Sequence, residues 1–273
     1  MINTKKQIAG LLTQLHGIDV SKYEDSFLNK SLQKRITESH CNSAEEYCTL
    51  LEQSNTEGKT FIESLHINYS QFFRNPLIFA VLERIILPSM VMQKKKARRK
   101  EIRIWSAACA EGQEAYSLAM LLEELKDGQD EKIKYRIFAT DRCDAQINRA
   151  AKGQYPATAL DNINLKRAGQ WFSKQGDIYT LKPQLRANID FSVFDLFDEQ
   201  LSSPPVSIFG DFDLVICANL LFYYKPEFRE IIVKKTTNSL ANNAYLITGE
   251  VEREILMNHN YHEVFPQSAI FQK

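Results

Sequence analysis

IRIWSAACAEGQEAYSLAMLLEELK, from Ile102 to Lys126, opens as a buried strand, because Ile102, Ile104 and Trp105 are apolar and β-prone. It closes as an amphipathic helix. Between the two lies a loop of small residues with Gly112 as its single glycine and Glu114 where the helix should begin. Strand, tight turn and helix make half of a nucleotide-binding unit, yet the G-x-G-x-x-G that would cradle a pyrophosphate is missing. The ligand of such a turn must be one that does not need phosphate-binding glycines.

From Glu101 onward the same alternation repeats. Short apolar runs (YRIFAT, IDFSVFDL, FDLVICAN, AYLITGE) alternate with helix-like segments (CDAQINRAAKG, PEFREIIVKKTTNSLA). This is the pattern of a mostly parallel sheet covered by helices. Tyr155 to Asn188 interrupts it with Trp171, Phe172, QGDIYTL and Pro183, which predicts an inserted hairpin or small subdomain at about 155–188. The last run, VFPQSAIFQK, predicts a final antiparallel strand.

Upstream, residues 1–75 read as helical. Ile8, Leu11, Leu12 and Leu15 recur at helical spacing, and Ser43 with Glu46 three residues on predicts a helix cap. Residues 76–100 read as an apolar linker helix closed by a basic connector, in which six of the seven residues Lys94–Lys100 are Lys or Arg. Without interleaved aromatics this run reads as a solvated linker rather than a phosphate site. The expected layout is therefore 1–75 helical domain, 76–100 linker helix and basic connector, and 101–273 α/β domain with the insertion at about 155–188.

Composition limits the function. The chain has 273 residues, 44% hydrophobic and 25% charged, with Lys plus Arg equal to Asp plus Glu at 34 each. No global field recruits nucleic acid or an anionic membrane. The five cysteines form no C-x-x-C pair, so neither a disulfide framework nor a zinc site is expected. MINTKKQIAGLLTQLHGIDV lacks the pattern of a secretory leader, and no apolar run approaches the roughly 20 residues of a membrane span. The reading expects a cytoplasmic monomer without a metal, without nucleic acid and without membrane insertion.

Chemistry enters at the strand ends. In a doubly wound sheet the ligand lies over the carboxyl ends of the strands, and the second strand should end at an acidic residue that grips a ribose. YRIFATD supplies Asp141. S-adenosylmethionine carries a ribose and an adenine but no phosphate, so a turn with one glycine followed by Glu114 suits it better than NAD. The competing reading has Asp141 capping the next helix and Glu114 favouring the first turn of its own. A third strand ends near Asp195 and Leu196, and a fourth near Cys217, Ala218 and Asn219, with Tyr223 just beyond. Tyr224 reads as a core aromatic, and Cys109 and Cys217 as small buried residues rather than nucleophiles.

Five motifs in order carry a resemblance over most of the chain: GIDVSKYEDSFLNKSLQKRI, INYSQFFRNP, WSAACAEGQEAYSLAM, FATD with VFDLFD, and FDLVICANLLFYY. From about Gly17 to its end the chain resembles the CheR-type chemotaxis receptor methyltransferases. The resemblance implies an α/β fold, a Rossmann-like class I methyltransferase domain with an N-terminal all-helical domain and a small inserted β-subdomain. It implies S-adenosyl-L-methionine as cofactor, S-adenosyl-L-homocysteine as product, and glutamate side chains on the cytoplasmic helices of a methyl-accepting receptor or related signalling protein as substrate. It places Asn68, Ser70, Arg74, Glu114, Asp141, Asp195, Leu196, Cys217, Ala218 and Asn219 around the cofactor, and Arg74 and Tyr223 near the reacting carboxylate. Two positions depart from the family pattern. Ala218 stands where C-R-N has its arginine, and NKSLQKRITESH (Asn29–His40) is less basic than the family's receptor-facing helix. A cofactor-binding regulatory module with altered catalysis, and a methyltransferase acting on another substrate, stay open as alternatives.

Overall fold

The computed structural model describes residues 2–65, 70–97, 100–126, 134–258 and 261–273. The chain divides into two compact units. One comprises Met1–Ile67 and Phe222–Arg229; the other comprises Asn68–Leu221 and Glu230–Lys273.

In the first unit, helices Ile2–His16, Asp25–Glu38, Ala44–Gln53 and Asn55–Leu65 enclose a core of Ile8, Leu12, Leu32, Ile36, Tyr47, Leu51, Phe61 and Leu65. Of the residues at helical spacing in the first helix, Ile8 and Leu12 turn inward and Leu15 is exposed. Ser43 caps its helix as expected, accepting from the Glu46 amide at 3.1 Å. The Glu46 carboxylate reaches past Ser43 and accepts from the Asn42 amide at 2.7 Å. Arg35 is drawn inward: its guanidinium donates to both Glu57 oxygens at 2.8 Å, and the Tyr47 hydroxyl donates to Glu57 at 2.8 Å. The segment after residue 221 joins this unit. The Tyr224 ring stacks on Tyr23 at 5.1 Å, confirming it as a core aromatic, and Arg229 pairs with Glu24 at 2.5 Å.

Among the described residues, the second unit is built on nine strands: β1 Glu101–Ala107, β2 Lys134–Asp141, β3 Gln154–Pro156, β4 Phe172–Gln175, β5 Ile178–Leu181, β6 Ile189–Val193, β7 Phe212–Ile216, β8 Leu240–Ile247 and β9 Ile270–Gln272. Six form one sheet in the order β6-β2-β1-β7-β8-β9. All its pairings are parallel except β8 with β9. β1 reads as a near-continuous apolar run because both faces are covered: Ile102 and Ile104 join the core under the Gln113–Lys126 helix, while Trp105 packs against Phe194 and Phe212. The order reverses between β1 and β7, which makes the carboxyl ends of these strands the switch point where a ligand crevice forms.

The interruption in the pattern folds as a second sheet, β3-β5-β4, antiparallel throughout. β4 and β5 turn through Gly176 and Asp177, with Gly176 at φ +59°, the left-handed conformation a tight hairpin requires. Ahead of β1, Pro76–Lys96 is continuously helical through a π turn at Leu82–Ile86. By length and composition this helix could cross a membrane, which corrects the expectation that no run comes close. Its inward face, Ile78, Leu82, Ile86, Leu87 and Met90, is buried in the core of this unit, the place of an ordinary core helix. At its end Lys94 pairs with Asp213 at 2.7 Å, and Lys95 and Lys96 are exposed.

Candidate active site

The turn after β1 follows the path of a glycine-rich loop without its glycines. Ala108, Ala110 and Gly112 all have positive φ, at +65°, +48° and +88°. Every second residue of the turn is thus left-handed, and two of the three positions are alanine. Gly112 is also required sterically, since a Cβ there would lie 3.0 Å from the Ala150 Cβ and 3.1 Å from the Phe191 ring. The loop is closed by Cys109 N donating to Thr140 O at 2.8 Å and Gly112 N donating to Cys109 O at 2.9 Å.

Asp141, the last residue of β2, fastens this loop. One carboxylate oxygen accepts from Ala110 N at 3.0 Å and the other from Cys143 N at 2.9 Å. It does not cap the Asp144–Lys152 helix, whose N-cap position is Cys143 with no side-chain bond. β6 runs beside β2, so the residues after it arrive at the same edge: Phe194 N donates to Asp141 O at 3.0 Å. Asp195 is exposed there and accepts from Phe197 N at 2.9 Å, while Leu196 is buried.

Glu114 lies in the first turn of the Gln113–Lys126 helix and accepts from the Ser106 hydroxyl at 2.6 Å. Burial pushes its carboxyl up to about 7; the Ser106 hydroxyl and the Arg74 charge oppose the rise, and the charge of Glu252 adds to it. Beside it, Gln113 is 3% exposed and its side-chain oxygen has no hydrogen-bond partner among the described residues. The thiols of Cys109 and Cys217 are buried, and burial raises both well above the ordinary thiol range, which makes them inert packing residues.

Arg74 is brought to this cluster by the residues before it. Phe72 is buried edge-on against Tyr155 at 4.9 Å and Phe172 at 5.6 Å, and Phe73 packs on Phe79 at 5.2 Å. Phe73 N donates to the Ser117 hydroxyl at 3.0 Å. Phe73 and Asn75 are both left-handed, at φ +50° and +62°, so the backbone turns sharply on either side of Arg74. Ser70 is half-buried just upstream, and Asn68 lies outside the described residues.

On the far side, β7 runs out into Cys217, Ala218 and Asn219. Ala218 is half-buried against the apolar core, and Asn219 is left-handed at φ +61°. Sequence reading missed the residue that holds this loop. Glu252 is fully buried and accepts from Asn219 N at 2.7 Å, Leu221 N at 2.6 Å and Gly249 N at 2.8 Å. A glutamate three residues after a glycine at the end of a strand was the available signal, since that is capping-box spacing. Tyr223 falls in the other unit, where its ring meets Phe27 edge-on at 4.7 Å and its carbonyl accepts from Glu24 N at 2.9 Å.

The CheR methyltransferase SAM-binding domain matches residues 68–270, and the all-alpha domain of the same family matches residues 5–66. The chain belongs to the CheR methyltransferase family. Among curated proteins it is 28% identical over 269 residues to a chemotaxis protein methyltransferase of Borreliella burgdorferi, covering 96% of this chain and 93% of that one. It is 29% identical over 237 residues to the chemotaxis protein methyltransferase of Listeria innocua (87% and 85% covered). It is 30% identical over 195 residues to chemotaxis protein methyltransferase 1 of Pseudomonas aeruginosa (70% and 68% covered). Like its family, the chain is a methyltransferase that uses S-adenosyl-L-methionine. The acceptor set fits that cofactor: the carboxylates of Glu114, Asp141 and Asp195 at the strand ends, with the charge of Arg74 acting on Glu114, suit a phosphate-free ligand that carries positive charge.

Proposed function

We propose that this CheR-family enzyme transfers methyl groups to glutamate side chains on the cytoplasmic helices of a chemoreceptor or a related signalling protein, giving methyl esters. Arg74 carries this reading. Its positive charge acts on the cofactor-side carboxylate Glu114, and left-handed residues flank it on either side. An acidic acceptor approaching that carboxylate needs one cation, and arginine offers a planar pair of donors that holds a carboxylate in one orientation.

The cofactor supplies an electrophilic methyl on a sulfonium. No residue need act as a base, because glutamate, with an ordinary pKa of about 4.3, is already ionised at neutral pH. What remains for the protein is orientation and exclusion of water, and orientation alone can lower a barrier by roughly 7–11 kcal/mol. Arg74 stabilises the acceptor anion more than the neutral ester, so its contribution is aim rather than preferential binding of developing charge. For the same reason its grip on the acceptor weakens once the ester has formed. Asp141 and Asp195 are assigned to the cofactor's ribose and adenine ends, Glu114 to its amino acid end, and Asn68, Ser70, Leu196 and Cys217–Asn219 to the walls. Tyr223 is assigned a hydroxyl contact to the acceptor.

Receptor recognition differs from the family pattern at two places. Position 218 lacks the arginine, and on the Asp25–Glu38 helix Arg35 is engaged inward with Glu57, leaving Lys30 and Lys34 as its exposed cations. The proposed substrate is therefore a receptor outside the commonest set. The test is to incubate the enzyme with methyl-tritiated cofactor and either membranes containing receptors or a purified signalling fragment. Base-labile label on protein is expected; label in RNA or a small molecule, or none at all, refutes the assignment.

A further inference from the structure

Three backbone amides converge on one buried carboxylate. Glu252 lies beyond β8, after the last of the five quoted motifs, and accepts from the amides of Asn219 and Leu221 on the β7 exit and of Gly249 on the β8 exit. The two neighbouring parallel strands are thus tied together just past their carboxyl ends. Asn219 is held left-handed by this tie, and Gly249 makes room for it: a Cβ at 249 would lie 2.4 Å from Asn219 Nδ2, 3.0 Å from Asn219 N and 2.9 Å from Glu252 Oε2. Glycine is required here for close approach, not for its φ of −72°. A buried carboxylate is an expensive way to satisfy amides that a backbone carbonyl or serine could serve, since charge resists burial unless fully hydrogen-bonded.

We infer that Glu252 is a positioning residue for methyl transfer, fixing the Cys217–Leu221 loop in the shape that presents Asn219 to the cofactor and setting the charge that Glu114 feels across the site. The inference rests on the reading that Cys217–Asn219 border the cofactor. The electrostatic half follows from the neighbours of Glu114. Ser106 hydrogen-bonds it from β1, while the charges of Arg74, ahead of the Pro76–Lys96 helix, and of Glu252, beyond β8, act on it through space; the buried thiols of Cys109 and Cys217 feel its charge in turn. Glu252 is the like charge in that set.

The experiment measures affinity for S-adenosyl-L-homocysteine by calorimetry from pH 5.5 to 8.5 on four full-length proteins: parent, Glu252→Gln, Gly249→Ala and Asp141→Ala. Glu252→Gln keeps the side-chain size but removes the charge and leaves one of its two acceptor positions as an NH2 group facing a backbone N–H, and is expected to lose at least tenfold in affinity at pH 8. The acid limb of its pH profile should move to lower pH, because Glu114 has lost a like-charged neighbour. A merely structural glutamate would leave that limb in place. Gly249→Ala, which pushes on Asn219 with the charge intact, should lose affinity without moving the limb. A folded Glu252→Gln protein that binds within twofold of the parent, with an unmoved limb, overturns the inference while loss of binding in Asp141→Ala upholds the site. Unchanged binding in Asp141→Ala as well overturns the site reading itself. Should Glu252→Gln not fold, Gly249→Ala binding within twofold of the parent overturns the inference.

Discussion

Glu114→Gln should stabilise the cofactor-free protein at alkaline pH while weakening its grip on the cofactor. In the folded chain burial pushes the Glu114 carboxyl up to about 7, against an ordinary value of 4.5. The raised value means that the fold favours the protonated form. Below about pH 4.5 both folded and unfolded chains hold the proton and nothing is lost. As pH rises from there to 7 the unfolded chain releases its proton while the folded chain keeps it, and stability falls. Each pKa unit corresponds to about 1.4 kcal/mol, so the loss from this group approaches about 3 kcal/mol and levels off above pH 7. Glutamine is neutral throughout and its carbonyl still accepts from the Ser106 hydroxyl, the bond that is 2.6 Å long in the parent. Urea denaturation of parent and variant at pH 5, 6, 7 and 8 should give stability curves that separate with rising pH, the variant ahead by up to about 3 kcal/mol at pH 8. Other titrating groups are common to both proteins and cancel in the difference. Calorimetry at pH 8 should show the variant binding the cofactor product at least tenfold more weakly. Parallel stability curves, with a constant difference across the range, would refute the electrostatic account of this site.

Asp141→Ala removes the acceptor for Ala110 N and Cys143 N together with the proposed ribose ligand, so binding should fall by an amount on the order of 1.5–3 kcal/mol, the usual worth of a charged hydrogen bond, as read by calorimetry. Ala108→Gly and Ala110→Gly should each raise stability by about 0.5 kcal/mol in urea titrations, because left-handed alanine costs roughly 1–2 kcal/mol and glycine's extra unfolded-state entropy returns only part of it; a loss at both positions would contradict the turn geometry. Arg74→Lys should keep the fold and most product affinity yet slow methyl transfer at least tenfold, since the charge remains and the planar pair of donors does not. Tyr223→Phe should slow transfer with its ring contacts to Phe27 retained, as followed by initial rates on a receptor fragment.

The strand ends were legible because they follow from patterns a chain displays locally. β1 and β2 are apolar on both faces, and Asp141 is the first acidic residue after a buried run, so its place at a carboxyl end needs no tertiary information. The inserted sheet was legible as a break in that pattern, with QGD as its turn. Ala108 and Ala110 were not legible, because alanine gives no sign of positive φ and its conformation is imposed by the closure of the loop onto Thr140 and Asp141. Glu252 was hidden for another reason. EVERE looks like a solvated turn, and two of its three glutamates and Arg253 are indeed not buried; only the parallel pairing of β7 with β8 brings the third under the Asn219 loop. Contiguous boundaries likewise have no way to express that Phe222–Arg229 packs with helices two hundred residues earlier in the chain, for which aromatic partners such as Tyr23 and Phe27 are the cause.

The turn without phosphate-binding glycines has a physical explanation in what its amides do. A phosphate site works because the amides of a left-handed loop and a helix N-terminus stand open to an anion. Here the backbone has a left-handed alternation at 108, 110 and 112, but three of the turn's amides are already engaged. Cys109 N is held by Thr140 O, Ala110 N by the Asp141 carboxylate and Gly112 N by Cys109 O. Across the crevice Asn219, Leu221 and Gly249 give theirs to Glu252. Two carboxylates supplied by the chain itself take the place an outside anion would occupy. With these amides engaged and the carboxylates of Glu114, Asp141 and Asp195 at the strand ends, the site meets its ligand with acceptors, and the charge that suits it is positive. The glycines could be replaced by alanine because no pyrophosphate has to approach the backbone, and the modest strain of two left-handed alanines is borne by the carboxylate of Asp141 and the closure of the loop.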